Sequence, residues 1–278
     1  MSQPSDGPTY VLGASDSETR RLIDQADLYR SVTRRFFEDA GIGKGMKVLD
    51  VGSGAGDVAF IAADIVGPGG AVVGVDVNPT VLATARARAQ HGQRDNVSFV
   101  DGDCLTARLG EDFDAAVGRF VVMHARDPEE LLRSVAGRVR SGGIVAFAEG
   151  DVAIGLGYAH SFPSELIRST WDWTAEVFGR VGIPTAMAPV LCKAFPAAGL
   201  SEPHMFLHAP LGCRKDWPGF DVDAESMKSI APVLEKFEIV DAATLDADTL
   251  ADRYRAEVLR TGFPFLMLPL VTAWARKP

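Results

Sequence analysis

The chain has 278 residues, 47% of them hydrophobic and 23% charged, a globular balance that excludes disordered, collagen-like and coiled-coil proteins. Its 28 basic and 37 acidic residues leave a net charge of −9, which offers no broad cationic footprint for nucleic acid or an anionic membrane. Cys104, Cys192 and Cys213 are odd in number and lack paired spacing, so neither a disulfide framework nor a zinc site is expected. The opening residues have no signal-peptide pattern and no apolar run is long enough to span a bilayer, so a soluble, cytoplasmic protein is expected.

After a Ser-, Pro- and Gly-rich start, apolar residues recur at helical spacing through Leu22, Ile23, Ala26, Tyr29, Val32 and Phe36, which predicts a helix over 17–40. Gly41, Gly43 and Gly45 end it. A strand–helix alternation follows: strands at 47–51, 71–76, 97–100, 113–117 and 144–148, with helices at 57–66, 79–90 and 128–138. Continuous apolar strands separated by helices predict a parallel sheet covered on both faces. Beyond Gly150 the pattern changes, with Gly155, Gly157 and Pro163 marking a loop. Helices are then expected near 165–179 and 186–198, a strand at 202–208, helical sequence from 221 to 262, and a closing strand at 265–275 that Pro269 weakens.

The chemistry concentrates in Val48-Leu49-Asp50-Val51-Gly52-Ser53-Gly54-Ala55-Gly56-Asp57. A strand that runs into closely spaced glycines and then a helix brings a ligand against backbone amides. Glycine permits that approach because it has no Cβ to collide. The Gly-x-Gly-x-Gly-Asp pattern departs from the dinucleotide fingerprint, Gly-x-Gly-x-x-Gly. Asp50 and Asp57 bracketing the loop would repel a pyrophosphate, at roughly 3 kcal/mol for each close pair, and would suit a ligand with an ammonium and a sulfonium. Asp57 as a helix cap and Asp50 as a turn former is the plainer alternative. Asp76 ends the second strand about 20 residues beyond the loop, where an acid commonly accepts ribose hydroxyls. Asp103, after the third strand, could accept from an adenine amino group.

The run VLDVGSGAGD, then VVGVDVNP, VSFVDGDC and FDAAVGRFVVMH, resembles the class I S-adenosylmethionine-dependent methyltransferases, especially bacterial small-molecule enzymes, from about residue 45 to 150. The resemblance implies a doubly wound, mostly parallel seven-stranded Rossmann-like sheet with a reversed last strand. Around it would stand an N-terminal tail and cofactor-covering helices (1–40), a core (41–220 and 263–278) and a helical lid inserted before the last strand (221–262). It implies S-adenosylmethionine as cofactor. Gly52, Gly54 and Gly56 would line its methionine part, Asp50 would reach its amino group, directly or through water, and Asp76 would hold the ribose. Val77 and Asn78 would sit near the adenosine, Asp103 and Cys104 would border the adenine, and the backbone at Arg119 would face the amino group. Tyr10 and Gln25 occupy the segment that covers the cofactor in relatives.

Methyl transfer from sulfur is an in-line displacement, so the protein's task is alignment and dryness, and a base is needed only if the acceptor must lose a proton. His124, beyond the fourth strand, is the candidate base; a structural histidine at the sheet end is the alternative. Glu149 could orient substrate or solvate a strand end, and His160 lies in the glycine-rich segment. Trp171, Trp173, Phe178, Met187, Phe195 and Met205 supply apolar surface, mostly core, and two or three of them facing the cleft would point to an apolar or aromatic acceptor. Gly118-Arg119-Phe120-Val121 replaces the tetrad of DNA amino-methylating enzymes, which favours a small-molecule acceptor, in a setting such as secondary metabolism, over nucleic acid. The acceptor atom and the oligomeric state stay open, a homodimer included. A nicotinamide oxidoreductase and a silent cofactor-binding regulator are the competing readings.

Overall fold

Along the first strand, side chains alternate between two apolar layers, as the twofold period of a strand requires. Val48 joins Ala59 and Ile61 on one side of the sheet, while Leu49 and Val51 join Leu132 and Leu191 on the other. The computed structural model describes residues 16–278. Helix α1 (Asp16–Ala40) leads into β1 (Lys47–Val51), α2 (Asp57–Val66), β2 (Ala71–Asp76), α3 (Pro79–His91) and β3 (Val97–Asp101). Then come β4 (Phe113–Arg119), a 3-10 turn (Val122–His124), α4 (Pro128–Arg138) and β5 (Val139–Gly150). The remainder comprises α5 (Val152–Ala159), α6 (Glu165–Val181), α7 (Met187–Ala197), β6 (His204–His208) and β7 (Leu211–Gly212). It ends with α8 (Gly219–Lys236), α9 (Ala242–Leu245), α10 (Leu250–Thr261), β8 (Phe265–Leu266) and β9 (Leu270–Arg276).

The main sheet has seven strands in the order β3-β2-β1-β4-β5-β9-β6. The β3-to-β5 run is parallel, and β9 is antiparallel to both β5 and β6. It is therefore the doubly wound, mostly parallel sheet with a reversed last strand that the sequence predicts. Its order reverses between β1 and β4, and a crevice at the carboxyl ends of those strands is where such sheets bind ligands. A third apolar cluster lies away from the sheet and joins Tyr29 of α1 to Trp171, Phe220, Met227, Tyr254 and Phe265. It ties the 221–262 helices to α1 and α6.

Two expectations need correction. The segment after Gly150 is helix α5, not a loop. Asp151 caps it by accepting from Ile154 N–H at 3.1 Å, and its other oxygen accepts from Met187 and Ala188 N–H at the start of α7. Gly155 is required by packing, since a Cβ there would lie 1.9 Å from Trp171 Cζ3. The closing strand is two pieces, β8 and β9. Pro269 has no N–H for a ladder and falls between them, its carbonyl accepting from Asp151 N–H at 2.9 Å. Among the described residues no helix is long and apolar enough to cross a membrane.

Candidate functional site

The crevice between β1 and β4 holds a cavity of about 340 Å³, bordered by Gly52, Ser53, Gly54, Asp76, Val77 and Asn78. Glycine builds its floor for two different reasons. Gly52 has φ +65° and a Cβ there would lie 2.6 Å from Val121 Cγ2, so neither conformation nor space admits a side chain. Gly54 has φ +52° and nothing within 4 Å of an added Cβ, so the chain leaves room there for a ligand to approach the backbone. Gly56, at φ +90°, caps α2 without a side-chain bond and packs against Phe60 and Phe99.

Asp76 fixes the loop. One oxygen accepts from Gly54 N–H and the other from Asn78 N–H, each at 2.9 Å. Each carboxylate oxygen keeps a lone pair that can accept from a ligand. Asn78 in turn caps α3 through Thr80 and Val81 N–H. Val77 is 70% exposed beside it, an apolar surface at the cavity rim.

The carboxylate bracket expected around the loop is not built. Asp50 shares the strand parity of Val48, so its side chain enters the α1–α2 layer beneath the loop and is absent from the cavity wall. Both of its oxygens are buried without a hydrogen-bond partner, and burial pushes its carboxyl up to about 7, with Ser53 and Arg119 pulling back. Asp57 does border the cavity, but Arg88 Nη2 pairs with it at 2.7 Å and offsets its charge. Asp103 and Cys104 also lie off the wall. Asp103 accepts from Leu105 N–H at 2.8 Å, and Cys104, its thiol pushed up to about 11 by burial, packs toward α4. Tyr10 lies outside the described residues.

Across the crevice the wall is formed by Leu22 and Gln25 of α1 with Arg119, Phe120, Val121 and His124. Arg119 donates to Thr33 Oγ1 at 2.8 Å, and burial lowers its pKa. Phe120 has φ +58°, a left-handed conformation uncommon for a non-glycine residue and concentrated at functional sites. It is held by its N–H to Ala148 O at 2.9 Å and by an edge contact with Tyr29 at 5.9 Å. The turn after it hangs on Glu149, fully buried, which accepts from Val121, Val122 and Met123 N–H at 3.2, 3.0 and 3.3 Å. Burial pushes the Glu149 carboxyl up to about 7 against those three donors. Glu149 is thus an anchor for the turn that carries His124, and does not solvate a strand end.

His124 borders this cavity and a second one of about 160 Å³. Burial holds its imidazole down to about 4, so it is neutral at physiological pH. The second cavity is shared with Leu22, Gln25 and Phe120 and is otherwise lined by Met123, Trp171, Phe178, Ile183, Met227 and Ile230, with Arg21, Thr174, Asp223 and Ser226 as polar members. Trp171 and Phe178 therefore face the cleft, while Met187 and Phe195 are core under α7 and Met205 packs on that core. His160 pairs with Asp172 at 2.9 Å on the surface and takes no part. Sequence reasoning missed Phe120, Leu22 and the α8 residues. The spacing Asp223, Ser226, Met227, Ile230 was the available signal, one helix face repeated at i, i+3, i+4 and i+7.

A reversal of strand order, a glycine loop at that reversal and an acid ending β2 define a Rossmann-like protein built to hold a nucleoside-containing ligand. Residues 42–177 match the model of a methyltransferase domain family. An arsenite methyltransferase of Halobacterium salinarum is 33% identical over 111 residues, 40% of this chain and 28% of that protein. A nocamycin O-methyltransferase of Saccharothrix syringae is 39% identical over 102 residues, 36% of this chain and 33% of that one. The matches thus span a third or less of these relatives' own length. A solved geranyl diphosphate methyltransferase in complex with S-adenosylmethionine superposes with a TM-score of 0.56 over 95% of this chain and 92% of that one, at 14% identity, which speaks to fold alone. Residues 42–177, just under half of the chain, are thus similar to the S-adenosylmethionine-dependent methyltransferases.

Proposed function

We propose that the protein transfers the methyl group of S-adenosylmethionine to a small, apolar or aromatic molecule held in the second cavity. The observation that carries this reading is the shared wall: the glycine-loop cavity adjoins an apolar one, and Leu22, Gln25, Phe120 and His124 line both. When bound, the cofactor supplies an electrophilic methyl on a cationic sulfur. The residues present fit it. The open space at Gly54 admits close backbone approach, Asp76 can accept from ribose hydroxyls, and Val77 and Asn78 border the side where a base would lie. Asp50 and Asp57 are not needed for that fit.

The remaining work falls to this chain's own side chains. Phe120 and Leu22 form the apolar collar between the two chambers and exclude water. His124, kept neutral by burial, can accept a proton from an acceptor hydroxyl or amine as it reacts. Gln25 accepts from Arg21 at 3.3 Å and reaches both chambers, which suits it to orient the acceptor. The segment 221–262 acts as a lid and α1 as a cover, both closing on the acceptor.

The relatives' names span arsenite and nocamycin as acceptors, so an apolar acceptor rests on the lining of the second cavity. The test is methyl transfer from radiolabelled S-adenosylmethionine to a panel of phenols, amines and enols. His124→Ala should lower turnover about 100-fold with cofactor affinity unchanged; wild-type turnover in that variant removes the base role. Cofactor binding with no transfer to any panel member would favour a silent binding protein.

A further inference from the structure

The second cavity is apolar on most sides, with one carboxylate standing in it. Helix α8 turns Asp223, Ser226, Met227 and Ile230 onto a single face, and all four line the chamber opposite Trp171 and Phe178. Of the cations on the surrounding helices, Arg21, also on the chamber wall, donates to Gln25 Oε1 at 3.3 Å and Ser226 Oγ at 3.2 Å, Lys228 pairs with Asp248 at 2.6 Å and Arg255 pairs with Asp221 at 3.2 Å. Among the described residues Asp223 has no ion-pair partner. Burial pushes its carboxyl up to about 7, with the Tyr254 hydroxyl pulling the other way.

A carboxyl in an apolar chamber gains from each donor that meets it, and beyond the Tyr254 hydroxyl an amine or hydroxyl on an otherwise apolar ligand supplies a further one. A ligand acid in the same chamber would set two like charges together where water does not screen them. We propose that Asp223 selects the methyl acceptor: the second cavity takes an aromatic or aliphatic molecule carrying a hydroxyl or amine for Asp223 and no acid group of its own. The word acceptor rests on the methyltransferase reading; the ligand chemistry rests on the cavity alone. Asp223 is then a specificity-determining residue, and the reacting atom lies toward His124 and Phe120, where the chambers meet.

The test is calorimetry on the full chain with S-adenosylhomocysteine present, using three probes of one shape: 2-naphthalenemethanol, 2-naphthylmethylamine and 2-naphthoate. The alcohol and the amine are expected to bind, with the naphthoate at least about tenfold weaker. Asp223→Asn, close in shape, should cost the amine about tenfold and strengthen naphthoate, while Asp223→Leu should weaken both donor probes. Unchanged S-adenosylhomocysteine affinity and a cooperative melt establish that the variants are folded. Naphthoate binding as tightly as the alcohol, affinities unmoved by Asp223→Asn, or no probe binding to loaded protein overturns the assignment. Failure of S-adenosylhomocysteine itself to bind would instead overturn the methyltransferase reading, and the probe affinities measured without it would still decide the role of Asp223.

Discussion

The two chambers of the site are built on opposite principles. The glycine-loop chamber is a product of backbone: positive φ at Gly52, Gly54 and Gly56, and two amides locked onto Asp76. Its loop-side parts come from the end of β2, the turns after β1 and β2, and the first turns of α2 and α3. The apolar chamber is a product of side chains brought from α1, the turn after β4, α6, α8 and the segment before β9. A backbone-built site tolerates little change but serves many acceptors; a side-chain-built one can change acceptor while the fold stays the same.

That contrast can be broken by substitution. The largest effect is expected from Gly54→Val, which fills the open approach to the loop. It should weaken S-adenosylhomocysteine binding at least about 100-fold with the sheet intact, as calorimetry and far-ultraviolet dichroism would report. Retained affinity would mean that nothing approaches the loop backbone. Glu149→Ala acts on the joint between the chambers: three N–H groups, two of them buried, lose their acceptor, so stability in urea should fall by about 3 kcal/mol. A smaller loss would assign the turn's order to its apolar contacts.

Asp76→Ala should weaken S-adenosylhomocysteine by roughly 1.5–3 kcal/mol, about tenfold to a hundredfold, while leaving probe binding in the apolar chamber alone. Equal damage to both chambers would erase the distinction drawn here. The smallest effect concerns pH. The Asp223 carboxyl titrates near 7 in the folded chain against an ordinary value of 3.8, so the native state holds the proton more tightly. Its contribution to stability is full below about pH 4 and is lost as pH rises to about 7. Asp223→Asn lacks that loss, so its Tm should gain on wild type by roughly 2–4 °C between pH 5 and pH 8. Parallel profiles would show that the carboxyl is not desolvated.

What was legible in the sequence follows the same division. Strands β1 to β4, the loop between β1 and α2, and Asp76 at the end of β2 are local: apolar runs and glycine spacing specify them without reference to distant residues. Spacing along the chain says that Asp50 is near the loop, while strand parity sends its side chain into the layer beneath it. Helix α5 was hidden because Gly155 and Gly157 punctuate its sequence, and the reason for Gly155, the Trp171 ring, is contributed by another helix. Phe120 and Glu149 form the joint through a left-handed residue and three bonds made across the sheet end, none of which leaves a mark in local pattern. The acceptor chamber needed the packing of five separate segments before its members could be named.

The most direct measurement is calorimetric titration of the full chain with S-adenosylhomocysteine and, separately, with NAD. Saturable one-to-one binding of S-adenosylhomocysteine that Asp76→Ala weakens and Asp223→Asn leaves unchanged is the predicted result. Saturable NAD binding with no S-adenosylhomocysteine binding at near-millimolar concentration would contradict it.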